Sequence, residues 1–223
     1  NDRTTALLAA ASGGHLPCLK YLLDCRADIG RADDNGMTAL HRAAQDGHLA
    51  SVEYLVGQGA PETCSQKGLT VLMSAARGGF LECVKYLLGR GGASHVDQMC
   101  IGGNTALMYA SIEGHRACLQ YLVDCGAQVG HSQPVGGCTV LMYAAMGGHR
   151  ECVEYLVTHH AEVGQTDHTG GTALMVASRA GHVDCVRYLV EQSANVEQAV
   201  HDGGWTALIY ASAHGRVECV RDL

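Results

Sequence analysis

The sequence predicts an all-α solenoid, a stack of helix-turn-helix units with protruding loops between them, and three observations predict it. A phrase reading Thr-Ala-Leu or Thr-Val-Leu occurs seven times, its threonine at Thr5, Thr38, Thr70, Thr105, Thr139, Thr172 and Thr206, so successive copies lie 33, 32, 35, 34, 33 and 34 residues apart. Each phrase opens two short apolar segments with helical spacing, which at a fixed period near 33 means stacked helical layers. Gly makes up 29 of the 223 residues while aromatic residues are only 5 %, as expected of thin layers that need turn glycines and have little room for rings. The copies span approximately 1–32, 33–64, 65–99, 100–133, 134–166, 167–200 and 201–223, the first and last incomplete, and form one array over 1–223.

The second copy justifies each element in order. Asp33-Asp34-Asn35-Gly36 is turn chemistry, with Gly36 free to take positive φ. Thr38 stands where a helix N-cap is wanted. Leu40, Ala43 and Ala44 fall at i, i+3 and i+4, one face of a short helix that Gly47 ends. Val52, Leu55 and Val56 make the apolar face of the next helix, which Gly59 ends. In the other copies Ala10-Ala11, Ala75-Ala76, Ala110-Ser111, Ala144-Ala145, Ala177-Ser178 and Ala211-Ser212 repeat the small pair of Ala43-Ala44, where two helix layers must approach closely. Gly57-Gln58-Gly59 and Gly89-Arg90-Gly91-Gly92 follow helices and not strands, so they are expected to be helix stops rather than phosphate cradles.

From Gly36 to His48 the residues read Gly-x-Thr-Ala-Leu-His-x-Ala-Ala-x-x-Gly-His, which resembles the ankyrin repeat, and the resemblance recurs along the whole chain. Two departures stand out. The family's usual Pro after Thr is Ala or Val in every copy, and its usual His after Leu survives only as His41, the position being Leu8, Met73, Met108, Met142, Met175 and Ile209 elsewhere. The resemblance implies that this His ties neighbouring turns together, so those ties should weaken where Met stands, with thioethers as soft packing. The Tyr at 21, 54, 86, 121, 155 and 188 is expected on the solvent-facing shoulder of each second helix. The last copy stops part-way through its second helix and carries no polar cap, so the chain is expected to belong to a longer protein.

Charge narrows the partners. Residues 1–112 hold 9 basic and 10 acidic side chains and residues 113–223 hold 6 and 12, for a formal net charge of −7. Without a basic run, a nucleic-acid footprint or an anionic membrane partner is not expected. The stretch from Gly126 to His149 lacks charge but is broken by Pro134 and glycines, so it is not a membrane span. Most of the eleven cysteines recur at one repeat position, which fits reduced thiols in a cytoplasmic or nuclear protein better than a disulfide framework.

The one pattern with metal-ligand spacing is His-x-x-Cys, at His15/Cys18, His115/Cys118, His149/Cys152 and His182/Cys185. Its Cys aligns with Ser51, which replaces the thiol, and with Cys83 and Cys219, which lack a partner His, and equivalent pairs would lie about 10 Å apart, too far to share an ion. The Cys is expected as a small core hydrophobe, and the resemblance implies that the His is buried in a structural hydrogen bond. Cys25, Cys64, Cys100, Cys125 and Cys138 are expected as ordinary thiols outside the helices. No nucleophile elbow or His-Glu-x-x-His is present, so catalytic residues, cofactors, metals and small-molecule substrates are not expected.

Positions that vary between copies while structural positions repeat are those free to specialise. They are the residue before Thr and the pair closing the first helix, which give Met37, Leu69, Asn104, Trp205, Asp46, Arg77, Ile112, Glu113, Met146 and Arg179 as candidate partner-binding residues. Leu69, Ile112, Met146 and Trp205 are expected as exposed apolar anchors within a rim of both charges. The resemblance implies a protein partner, a peptide segment or a folded domain, on the concave face, and hence a scaffold or adaptor. The alternatives are a structural spacer and a targeting module of a larger enzyme.

Overall fold

The computed structural model describes residues 5–62, 64–91 and 95–223. Gly92, named above as part of a helix stop, lies outside them. The described residues form fourteen helices: α1 Ala6–Ser12, α2 Leu16–Asp24, α3 Ala39–Gln45, α4 Leu49–Gly57, α5 Val71–Gly78, α6 Leu81–Gly91, α7 Ala106–Ile112, α8 Arg116–Asp124, α9 Val140–Gly147, α10 Arg150–Thr158, α11 Ala173–Ala180, α12 Val183–Glu191, α13 Ala207–Ala213 and α14 Val217–Asp222. Odd-numbered helices are the first of each copy and even-numbered ones the second. The helices divide into two compact units, Asn1–Ala110 with Asp124–Ala127, and Ser111–Val123 with Gln128–Leu223. Among the described residues no helix is long and apolar enough to cross a membrane.

Local chemistry starts each first helix. The hydroxyls of Thr5, Thr70, Thr139, Thr172 and Thr206 accept the N–H of Leu8, Met73, Met142, Met175 and Ile209. Each satisfies a donor that the first helical turn leaves orphaned. A left-handed glycine ends several of these helices, at Gly79, Gly148 and Gly181. Gly89, expected to stop α6, lies within it instead, since the helix runs on to Gly91; with nothing within 4 Å of a Cβ there, a helical glycine costs only propensity.

Within each unit like packs on like. In the first, α1 packs on α3 and α3 on α5, with α2, α4 and α6 forming the second row; in the second, α9, α11 and α13 pack in series beside α10, α12 and α14. Ala43, Ala44, Ala75, Ala76, Ala144, Ala145 and Ala177 are fully buried at these contacts. Side chains as short as Ala let helix axes approach to the low end of the 8–10 Å range.

A ring-on-glycine joint fastens layer to layer. The Nε2 of His48 donates to Ser12 O at 2.7 Å, that of His149 to Ile112 O at 2.9 Å, and that of His182 to Met146 O at 3.0 Å. A Cβ on the facing glycine, Gly14, Gly114 or Gly148, would lie 2.4, 2.3 or 2.4 Å from that imidazole, so only glycine admits the ring. Phe80 takes the ring's place against Gly47, and Arg216 donates to Arg179 O from the same position against Gly181. The tie that resemblance implied for these histidines is present, though His48, His149 and His182 are half-buried, and His15 is exposed.

His41 makes a second tie. Its Nε2 donates to Leu69 O at 3.1 Å, leaving Nδ1 to accept from Thr38. Where Met replaces it, the sulfur keeps only the local half: Met73 Sδ accepts from Thr70 N at 3.4 Å and Met142 Sδ from Thr139 N at 3.5 Å. A thioether has no proton with which to reach the next layer.

The tyrosines depart from expectation. Tyr21 is exposed, but Tyr155 and Tyr188 are only 6 % exposed rather than sitting on a solvent shoulder. The guanidinium of Arg116 lies 5.2 Å from the Tyr155 ring centre and that of Arg150 4.1 Å from Tyr188, so a cation from the preceding copy roofs each ring.

Candidate functional site

The loop before each first helix from α3 onward is a tight hairpin closed by backbone bonds: Asp33 N to Met37 O, Ser65 N to Leu69 O, Cys100 N to Asn104 O, Gln133 N to Cys138 O, Asp167 N to Gly171 O and Val200 N to Trp205 O. One further bond joins each tip to the one before it within its unit, from Gln66 N to Asn35 O, Ile101 N to Lys67 O, His168 N to Gly136 O and His201 N to Thr169 O. Within each unit the tips therefore stand in a fixed row beside the first helices, and the side chains of both elements border small cavities.

The first unit has two such cavities, one layer apart. Asn35, Met37, Arg42, Gln45, Ser65, Lys67, Leu69, Ser74 and Arg77 line about 220 Å³. Gln66, Lys67, Leu69, Cys100, Ile101, Gly102, Asn104 and Tyr109 line about 300 Å³. In the second unit Cys138, Met146, Asp167, Thr169, Gly171, Met175, Val176, Arg179, Val200 and Tyr210 line about 130 Å³.

The predicted residues fall into place unevenly. Met37, Leu69 and Arg77 meet at the first cavity and Asn104 borders the second. Met146 and Arg179 meet in the second unit, where Trp205 packs on cavity-lining Tyr210 with ring centres 5.1 Å apart. Leu69 is not the exposed anchor expected: it is 8 % exposed, because its backbone closes the hairpin against Ser65 and its side chain forms cavity floor. Met37 is buried in the same way. Ile112 and Met146 are half-buried, and Trp205 is 37 % exposed. Asp46 accepts from the Ser12 hydroxyl, and Glu113 is exposed but borders none of these cavities.

Sequence reasoning missed Lys67, Arg42 and Asp167. Lys67 lies at a hairpin tip, where other copies carry Asn35, Gly102, Gly136, Thr169 and Gly203, and that partial variation was the available signal. Asp33 and Asp167 look alike in sequence, yet Asp33 holds Arg42 and the N–H groups of Asn35 and Met37, while Asp167 accepts from Thr169 and Gly171.

The cysteines sort by burial. Cys83, Cys118, Cys152, Cys185 and Cys219 are buried second-helix residues, Cys100 is a buried hairpin residue, and Cys18, Cys25 and Cys64 are exposed. Burial, reinforced by Glu53 and Glu82, pushes the Cys83 thiol up to about 11. Burial likewise raises Cys152 and Cys185 to about 11. Thiol reagents attack the thiolate, about one part in a thousand of such a thiol at pH 8. Labelling with a chromogenic disulfide at pH 8 should therefore modify Cys18, Cys25 and Cys64 at once and Cys83, Cys152 and Cys185 only on denaturation. Fast native labelling of the latter three, mapped by mass spectrometry, would contradict their placement. Among the described residues no group of three or more His, Cys, Asp or Glu is arranged to hold a metal ion.

A family model describing ankyrin repeats in three copies matches residues 1–63, 57–133 and 141–223. The chain belongs to the ankyrin repeat family. The crystal structure of the human ASB11 ankyrin repeat domain is similar to this array over 99 % of the chain and 98 % of that domain, at a TM-score of 0.82 and 26 % identity. The ankyrin repeat domain of Bcl-3, described as a unique member of the IkappaB protein family, shares the fold over 99 % of this array and all of that domain, at a TM-score of 0.71 and 24 % identity. No curated protein sequence matches the chain. The match to the ankyrin family covers most of the chain.

Proposed function

We propose that the chain is a non-catalytic protein-interaction module, a scaffold or adaptor, whose partner lies along the row of hairpin tips and first helices, the face that is concave in ankyrin arrays. Ankyrin repeat domains are generally protein-interaction modules. The observation that carries the reading is that, within each unit, residues differing between copies converge on this row. Met37, Leu69 and Arg77 do so in the first, and Met146, Arg179 and Tyr210 in the second. The hairpins are pre-ordered by backbone bonds, so a partner would bind with little ordering cost. The eleven free thiols support a reducing, cytoplasmic or nuclear compartment.

A partner isolated with the chain tests this. Trp205→Ala should weaken it by about 30-fold, the equivalent of about 2 kcal/mol at a hot spot. Combining it with Met146→Arg should abolish capture while leaving the melting curve unchanged. Wild-type affinity in the double variant would remove this face from the reading and leave a structural spacer or a different surface.

A further inference from the structure

We infer that the row of the first unit is built for an extended peptide carrying an aspartate or glutamate with an aliphatic residue three positions away. The acidic side chain would enter the cavity between the hairpins at Asn35 and Lys67, and the aliphatic one the cavity between those at Lys67 and Ile101. This rests on the interaction reading above and adds the chemistry of the partner.

Charge carries the first half. Three cations, Arg42, Lys67 and Arg77, line the 220 Å³ cavity, and no carboxylate does. Of the acids that flank it in sequence, Asp33 is buried and paired with Arg42, Asp34 is exposed and precedes the first lining residue, Asn35, and Asp46 accepts from Ser12. Asp33 thereby fixes the guanidinium of Arg42, and the Tyr109 ring lies 6.0 Å beneath that of Arg77. Two forked donors are thus held in position and a third cation sits on the hairpin tip, an arrangement that suits a carboxylate accepting charge-assisted hydrogen bonds. The floor of Met37 and Leu69 is apolar, and Ser65, Ser74, Asn35 and Gln45 complete the lining with neutral polar groups. The volume would hold about seven waters at about 30 Å³ each, enough for a side chain.

The neighbouring cavity differs in kind. Leu69, Cys100, Ile101 and Tyr109 give it an apolar character, and Ile101 is 76 % exposed at its hairpin tip. An isoleucine this exposed beside an apolar cavity gives an aliphatic partner side chain a surface to bury. The two cavities share Lys67 and Leu69 and sit between successive layers. Layers about 10 Å apart match three residues of an extended chain at about 3.3 Å each. The cavity of the second unit contrasts with both, having one cation, Arg179, and one carboxylate, Asp167, so the preference for an anion belongs to the first unit.

Panning a random-peptide phage library on the whole 223-residue chain tests the inference. Enriched peptides should share an acidic residue spaced three positions from Leu, Ile or Val. As fluorescein-labelled synthetic peptides they should lose about tenfold or more in affinity on Glu→Gln and weaken with rising salt. The double variant Lys67→Glu, Arg77→Glu should reject them and enrich basic peptides, with Lys67→Gln, Arg77→Gln intermediate and both melting like the wild type. Enriched peptides that map by amide chemical shifts to the hairpin row but carry no acidic residue would overturn this inference and leave the interaction reading standing. A library that yields no binder would overturn this inference and leave the interaction reading to its own test with a whole protein partner. Binding only of versions with phosphoserine in place of the acid would show a phosphate site and not the carboxylate site inferred.

Discussion

Gly78→Ala is expected to destabilise the chain by about 3 kcal/mol or more, although it adds one methyl group. Gly78 closes α5, and a Cβ there would lie 2.1 Å from the backbone oxygen of Gln45, which closes α3 in the preceding layer, and 2.8 Å from the Phe80 ring. Carbon and carbonyl oxygen approach only to about 3.3 Å, so the layers must part by about 1 Å. A ring can turn away, but a carbonyl inside a packed helix pair cannot. The fully buried alanines between α3 and α5, Ala43, Ala44, Ala75 and Ala76, would then lose their contacts together. A radial gap of that size forfeits roughly a quarter to a half of each contact's attraction. The melting midpoint should fall by about 6–12 °C for a chain of this length. Gly89→Ala is the internal comparison: it lies within α6 with nothing within 4 Å of its Cβ, so the methyl meets open space and should raise stability by up to about 1 kcal/mol. Equal midpoints for the two variants would mean that the layers are not in contact where Gly78 meets Gln45.

Such close approaches mark how far the sequence could be read. The seven threonines announce their own role, because an N-cap is a local matter between a hydroxyl and an N–H three residues on. The paired small residues announce theirs by recurring. What the chain could not announce is which side chain the neighbouring layer covers. Tyr155 occupies the same repeat position as Tyr21, yet it is buried while Tyr21 is 70 % exposed, since Arg116 of the preceding copy lies over it. Leu69 varies between copies as a binding residue should, yet its backbone closes a hairpin and its side chain faces into a cavity. Arg77, Met146 and Arg179, singled out by their variation, line cavities beside the hairpins. Lys67 escapes such a reading, because a Gly-containing hairpin tip spells turn chemistry alone. Methionine at the position of His41 was expected to pack softly, and its sulfur also accepts the threonine N–H, a bond that no spacing rule reveals.

Asp33→Ala is the second large effect, and it separates two residues that look identical in the sequence. Asp33 is 5 % exposed and accepts the N–H groups of Asn35 and Met37, each at 2.9 Å, and the guanidinium of Arg42. Truncation would leave the buried Met37 N–H without an acceptor and Arg42 without its partner. Removing one member of a buried ion pair costs about 3–5 kcal/mol, and since Arg42 is one-third exposed and can rehydrate, about 2–4 kcal/mol is expected here. Asp34→Ala, next to it but exposed, should change stability by less than about 0.5 kcal/mol. Asp33→Asn keeps an acceptor for the backbone donors and removes the charge, which isolates the ion pair through its pH dependence. Burial alone would raise the Asp33 carboxyl, but the Met37 N–H, the Arg42 guanidinium and the Asn35 N–H outweigh it and hold the group below its ordinary 3.8. A depressed carboxyl contributes stability that is present in full above its unfolded value and is lost as the pH falls through the folded one. The stability difference between wild type and Asp33→Asn should therefore be constant from neutral pH down to about 4 and shrink below it. A difference that stays level through pH 3 and below would show that the carboxylate charge contributes nothing, and that Asp33 acts as a hairpin acceptor alone.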